Sequence, residues 1–106
     1  MVKVEELKMQ LESTGFPVVY RAYAVDRAPD PPYLVFYGTQ KVTMFADNQP
    51  YYTVPMWNVE LYTDKKEPLT EARVEQVLDE SGILYVSSEA NWEDERLYEV
   101  LYEFKQ

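Results

Sequence analysis

Carboxylates are the side chains in this sequence whose type and spacing could do chemistry. Glu71, Glu75 and Asp79 recur every four residues, which aligns them on one helix face and could offer oxygens to a divalent cation. Hard-cation sites, however, draw ligands from several segments or from a dedicated loop, so the stripe reads as a solvated helix face. Glu93, Asp94 and Glu95 run consecutively. They lack the alternating ligands and the glycine of a calcium loop, and read as a charged turn. Glu60 could act as acid or base, but a lone strand carboxylate defaults to a cross-strand pair. Ser87 and Ser88 have no imidazole to activate them, because the chain has no histidine. It has no cysteine either, which excludes disulfides, thiolate catalysis and cysteine-based zinc sites. No catalytic, cofactor or metal residue is expected, and the chain is not expected to be an enzyme.

Aromatic residues are the second candidates. The 106 residues include ten tyrosines. Tyr51, Tyr52, Trp57, Tyr62, Tyr98 and Tyr102 could stack bases, but such platforms need a basic groove beside them. Here the field has the opposite sign: 10 basic and 19 acidic residues give a net charge of −9. Direct nucleic-acid binding is not expected, since phosphate contacts need Lys and Arg. Core packing and protein–protein contact account better for the tyrosines. The charge is uneven. Residues 1–66 carry seven basic and eight acidic residues, whereas 67–106 carry three and eleven.

These residues must be held by a small number of elements. Length and composition predict a single globular domain over 1–106. Val4, Leu7 and Leu11 predict an amphipathic helix over 3–13, stopped by Gly15 and Pro17. PVVYRAYAV (17–25) and YLVFYG (33–38) read as strands on either side of a proline-rich loop, 26–32. KVTMFADNQPYYTVP (41–55) reads as a long hairpin turning at 46–49, with Pro50 and Pro55 placing it at an edge or beyond the sheet body. MWNVELYT (56–63) alternates, with Trp57, Val59 and Leu61 on one side. Pro68 and Gly82 bracket a helix over about 69–81, with Ala72, Val77 and Leu78 as core contacts. ILYVSSE (83–89) and RLYEVLYEF (96–104) read as strands joined by a turn at ANWED, although Leu97 and Leu101, and Tyr98 and Tyr102, are four apart and leave a helix open for the last segment. The expected class is α+β: two helices on a mostly antiparallel sheet, in the order α-β-β-β-β-α-β-β, with a protruding hairpin around 41–55. The first fourteen residues are charged throughout, so no signal peptide is expected there. No apolar run is long enough to predict a membrane span.

Taken together, YLVFYG, FADNQPYY, WNVELYTDKKEP, EQVLDESG and YEVLYEF resemble a family. They look like the small head–tail connector proteins of long-tailed bacteriophages and prophages, of the tail-completion or tail-terminator type. The resemblance spans roughly residues 33–104 and carries no catalytic signature. It implies a non-enzymatic structural virion protein that forms a ring, most often hexameric, at the neck or tail end. Its neighbours would be copies of itself and tail-tube or connector proteins, with no small-molecule substrate, in the virion and in the host cytoplasm during assembly. The acidic C-terminal part would let DNA pass the ring by like-charge repulsion. Phe45, Asp47, Asn48, Tyr51, Tyr62, Lys65 and Lys66 are the expected protein-interface residues. The two lysines are a basic pair in an acidic chain, suited to an acidic patch on a neighbour. The rival expectation is a small acidic DNA mimic, presenting Glu71, Glu75, Asp79, Glu99 and Glu103 on one surface, or another protein-interaction inhibitor.

Overall fold

A computed structural model describes residues 4–23, 27–46, 49–92 and 97–105, with backbone alone over 40–46 and 49–53. Helix α1 (Val4–Glu12) is followed by β1 (Val18–Tyr20), β2 (Tyr33–Ala46) and β3 (Gln49–Thr63). Helix α2 (Pro68–Glu80), β4 (Tyr85–Trp92) and β5 (Leu97–Lys105) complete the chain. The class is α+β, as the residue pattern predicts. Five strands form one sheet in the order β1-β2-β3-β5-β4. Only β1 and β2 run parallel; every other neighbouring pair is antiparallel.

Alternation decides which face each side chain takes. Leu34 and Phe36 of β2, Trp57, Val59 and Leu61 of β3, and Val100, Tyr102 and Phe104 of β5 point to one side and are buried. Leu7 and Leu11 of α1 and Val74 and Leu78 of α2 cover them. The helices are also tied directly, since the Arg73 guanidinium donates to the Thr14 carbonyl that ends α1. Gly15 and Gly82 follow the two helices with φ of +87° and +72°, the left-handed conformation that glycine adopts without penalty.

Several boundaries differ from those predicted. The order is α-β-β-β-α-β-β, because the strands expected at 33–38 and from 41 are one continuous β2. Gly38 does not end it; a register shift between Gly38 and Lys41 absorbs the irregularity. The strand predicted over 17–25 stops at Tyr20. Arg21 turns the chain with φ of 78° while its N–H still donates to Phe36 O at 2.8 Å. Ala90, Asn91 and Trp92, expected in a turn, extend β4. On α2 the buried positions are Glu71, Val74 and Leu78, and Ala72 is exposed. Leu78 is buried as predicted and Val77 is half-buried, but the inward place expected of Ala72 is taken by Glu71. Glu71, Val74 and Leu78 are spaced three and four apart and so share one face, where Lys66 pairs with the Glu71 carboxylate.

Beyond the sheet body the β2–β3 pair continues as a two-stranded ribbon. β5 reaches β3 only as far as Met56, and β1 reaches β2 only over Leu34–Phe36. From Lys41↔Pro55 to Ala46↔Gln49 the two strands have, among the described residues, only each other. This is the protruding hairpin that the prolines predict, and it draws the molecule out to 49 × 27 × 22 Å. Replacing Leu78 with Ala is expected to lower unfolding free energy by about 2–5 kcal/mol. Ala72→Ser should stay within about 0.5 kcal/mol. Urea denaturation of both variants checks this, with Ala72→Ser testing the corrected position and Leu78→Ala the shared one.

Candidate functional site: the uncovered sheet face

Neither helix covers the second face of the sheet. Alternation places Tyr33, Val35 and Tyr37 of β2 there, with Asn58, Glu60 and Tyr62 of β3 and Glu99, Leu101 and Glu103 of β5. Tyr62 pairs directly with Glu99, and Glu60 with Leu101, so Glu60 and Glu99 are diagonal neighbours on one face.

The two carboxyl groups organise this surface. Glu60 accepts from the Tyr37 hydroxyl at 2.8 Å and from the Tyr62 hydroxyl at 2.9 Å. Asn58 Nδ2 donates in turn to Tyr37 Oη at 3.4 Å. Glu99 is nine-tenths buried and accepts from Trp92 Nε1 at 3.1 Å. Burial pushes the Glu99 carboxyl above the ordinary glutamate value; the indole N–H opposes this, and neighbouring Glu60 adds to it. The phenols respond in the same sense. Tyr62 is raised first by burial and then by Glu60. Tyr37 is likewise raised by burial, and Glu60 contributes further.

Beside the pair, the chain after β1 folds over the lower end of β2. Tyr23 meets Tyr33 edge-on at 5.5 Å, and Tyr33 stacks on Tyr62 at 5.1 Å. An open cleft of about 210 Å³ remains, lined by Arg21, Tyr23, Tyr33, Val35, Glu60 and Tyr62 among others. Its lining is largely aromatic and includes one acidic residue, Glu60, and one basic residue, Arg21. Among the described residues no cluster of three or more metal-ligating side chains converges. The Glu71, Glu75, Asp79 stripe is not the fully solvated face expected of it, because Glu71 is buried. Glu71 is paired with Lys66, and Glu75 accepts the Tyr102 hydroxyl at 2.9 Å. No described helix is long and apolar enough to cross a membrane.

The expected interface residues do not form one patch. Tyr62 lies on the uncovered face, with its hydroxyl engaged by Glu60. Phe45 and Tyr51 belong to the far half of the ribbon, with Tyr51 about 37 Å from Tyr62 along β3 if that strand is fully extended. Asp47 and Asn48 lie outside the described residues, as do Glu93, Asp94 and Glu95. Lys65 is exposed just past the opposite end of β3. Lys66 is engaged within its own chain. It bridges Glu71 at 2.8 Å and also Glu89, and it sits 5.6 Å from the centre of the Tyr98 ring. The Tyr98 hydroxyl completes the group by donating to Glu89 at 2.5 Å.

Glu99, Trp92 and Tyr37 do not stand out in the sequence. Each occupies an ordinary strand position: the β2–β3 register brings Tyr37 to Glu60, the β3–β5 register sets Glu99 beside it, and the β4–β5 pair brings Trp92 to Glu99. No family model matches the chain, and no curated protein matches it.

Two outcomes are expected. Folded Glu99 holds its proton to higher pH than unfolded Glu99. Stability should therefore fall as pH rises from the ordinary glutamate range through the raised value, and be unaffected below that range. Glu99→Gln keeps the acceptor for Trp92 and should remove this decline. Its stability relative to the native chain should grow across that window in denaturant titrations. Lys66→Met should lower the melting temperature at neutral pH, because Glu71 Oε2 is already buried without a partner. Lys65→Met should leave it unchanged.

Proposed function

We propose that this chain is a non-enzymatic assembly protein of the phage head–tail junction or tail end. It completes or joins the tail as a ring, a hexamer by the family resemblance, between copies of itself and tail-tube or connector neighbours. The observation that carries this reading is the β2–β3 ribbon. An isolated two-stranded ribbon is marginal in water, and an arm of this length gains its full support from a neighbour's surface. Tyrosine-rich walls on the uncovered face supply a second contact surface of the kind enriched at interfaces. Lys65, exposed where β3 gives way to α2, remains available to an acidic neighbour.

The DNA-mimic reading finds less support. A mimic needs carboxylates spread over one surface. Glu71 is buried and Glu75 is bonded to Tyr102 on the helix side, whereas Glu99 and Glu103 take the opposite face of the sheet.

Negative-stain imaging tests the proposal. Ring-shaped particles are expected from the concentrated chain, or at the ends of phage tail tubes mixed with it. A variant with residues 41–55 replaced by a short turn should lose the rings and keep a melting temperature close to the native one. Absence of rings from both preparations would overturn the reading.

A further inference from the structure

A sheet edge is a row of unpaired N–H and C=O groups, and proteins usually blunt it with short strands, prolines, bulges or lysines. Three of the edges here are blunted. β1 is three residues long. The free arm of β3 carries Pro50 and Pro55, and β2 shifts register between Gly38 and Lys41 and again between Met44 and Phe45. β4 has none of these devices. It runs eight residues, YVSSEANW, with no proline or basic residue, and pairs with β5 without a register shift. No strand lies beyond it among the described residues.

This same edge carries exposed apolar side chains among its polar ones. The exposed large hydrophobic residues among those described are Met9, Leu69, Leu84, Val86 and Trp92. Three of the five belong to β4 or immediately precede it. Leu84, Val86, Ser88, Ala90 and Trp92 alternate along one side, the side away from the helices.

We infer that β4 is a self-association edge, pairing antiparallel with β4 of a second copy about a two-fold axis at Ser88 to form a continuous ten-stranded sheet. The segment is self-complementary about that axis. Leu84 meets Trp92 of the second copy, Val86 meets Ala90, and Ser88 meets Ser88. On the other side Tyr85 meets Asn91 and Ser87 meets Glu89. Moving the axis to Glu89 sets two carboxylates directly opposite, which is destabilising. Moving it to Ser87 leaves Trp92 opposite Gly82. The Ser88 register alone covers all three apolar residues and separates the two Glu89 side chains. Such a contact is isologous and closes at two copies. It does not depend on the ring reading, because it describes the unassembled chain. An edge contact buries less than the ~1,600 Å² of a standard interface, so the dimer is weak. Each copy carries −9, so added salt tightens it by screening their repulsion.

Light scattering from about 5 to 500 μM, spanning the range of a weak interface, tests the inference. The mass is expected to rise from one 12.5 kDa chain towards twice that value, at lower concentration in high salt. Val86→Lys should remove the two-chain species, whereas Leu69→Lys, on the exposed side of α2, should leave it intact. Ser88→Cys gives a second readout, since the chain has no other cysteine. Opposed residues of an antiparallel pair lie about 4.5–5.5 Å apart between Cα atoms, within disulfide reach. Oxidation should link this variant into dimers much faster than Ser87→Cys. A mass of one chain at every concentration, equal cross-linking of the two cysteine variants, or a two-chain species that survives Val86→Lys would each overturn the inference.

Discussion

The pairing of β3 on both sides supports everything else in this molecule. β3 accepts β2 along one edge and β5 along the other, while Trp57, Val59 and Leu61 supply the middle of the core. The two helices lie on the side chains this arrangement aligns, and β4 reaches the sheet only through β5. A one-residue slip of β3 would turn Val59 and Leu61 towards water and Glu60 into the core. The hydrophobic pattern of this single strand therefore fixes the register of the sheet, and with it the position of every residue on both faces.

Two short helices cover only one side of five strands. The other side has to satisfy its own polar groups, and it does so with tyrosines and carboxylates rather than with opposite charges. Glu60 receives two phenol hydroxyls, and Glu99 receives an indole N–H. Basic charge is scarce and is used elsewhere: Lys66 holds Glu71 and Glu89, and Arg73 ties α2 to the end of α1. Aromatic donors take the place that cations fill in less acidic chains. This accounts for much of the tyrosine content without assigning any of it to catalysis.

The fold was largely legible in the residues, and the uncovered face was not. Leu7 and Leu11, the Trp57–Val59–Leu61 alternation, Pro68, Gly82 and the alternation of β5 each declare an element through local pattern. Pro50 and Pro55 mark the ribbon as lying outside the sheet body. The errors have physical causes. Gly38 reads as a strand end but sits at a register shift. The aromatic run at 17–25 suits a strand, yet among the described residues the strand ends at Tyr20, where Arg21 takes a positive φ. Ala72 has the helix period of a core residue, but Glu71 takes the inward position, where a lysine five residues earlier pairs with it. The Glu60–Glu99 proximity is a property of strand register, and no single segment contains it.

The two tryptophans divide between the two sides of the sheet. Trp57 is packed in the core, and Trp92 stands half-exposed at the edge with its indole N–H on Glu99. The chain thus carries two intrinsic optical reporters with separate audiences. A water-soluble quencher reaches Trp92 and leaves Trp57 untouched, so the collapse of the interior and events at the rim can be followed independently in the unlabelled protein.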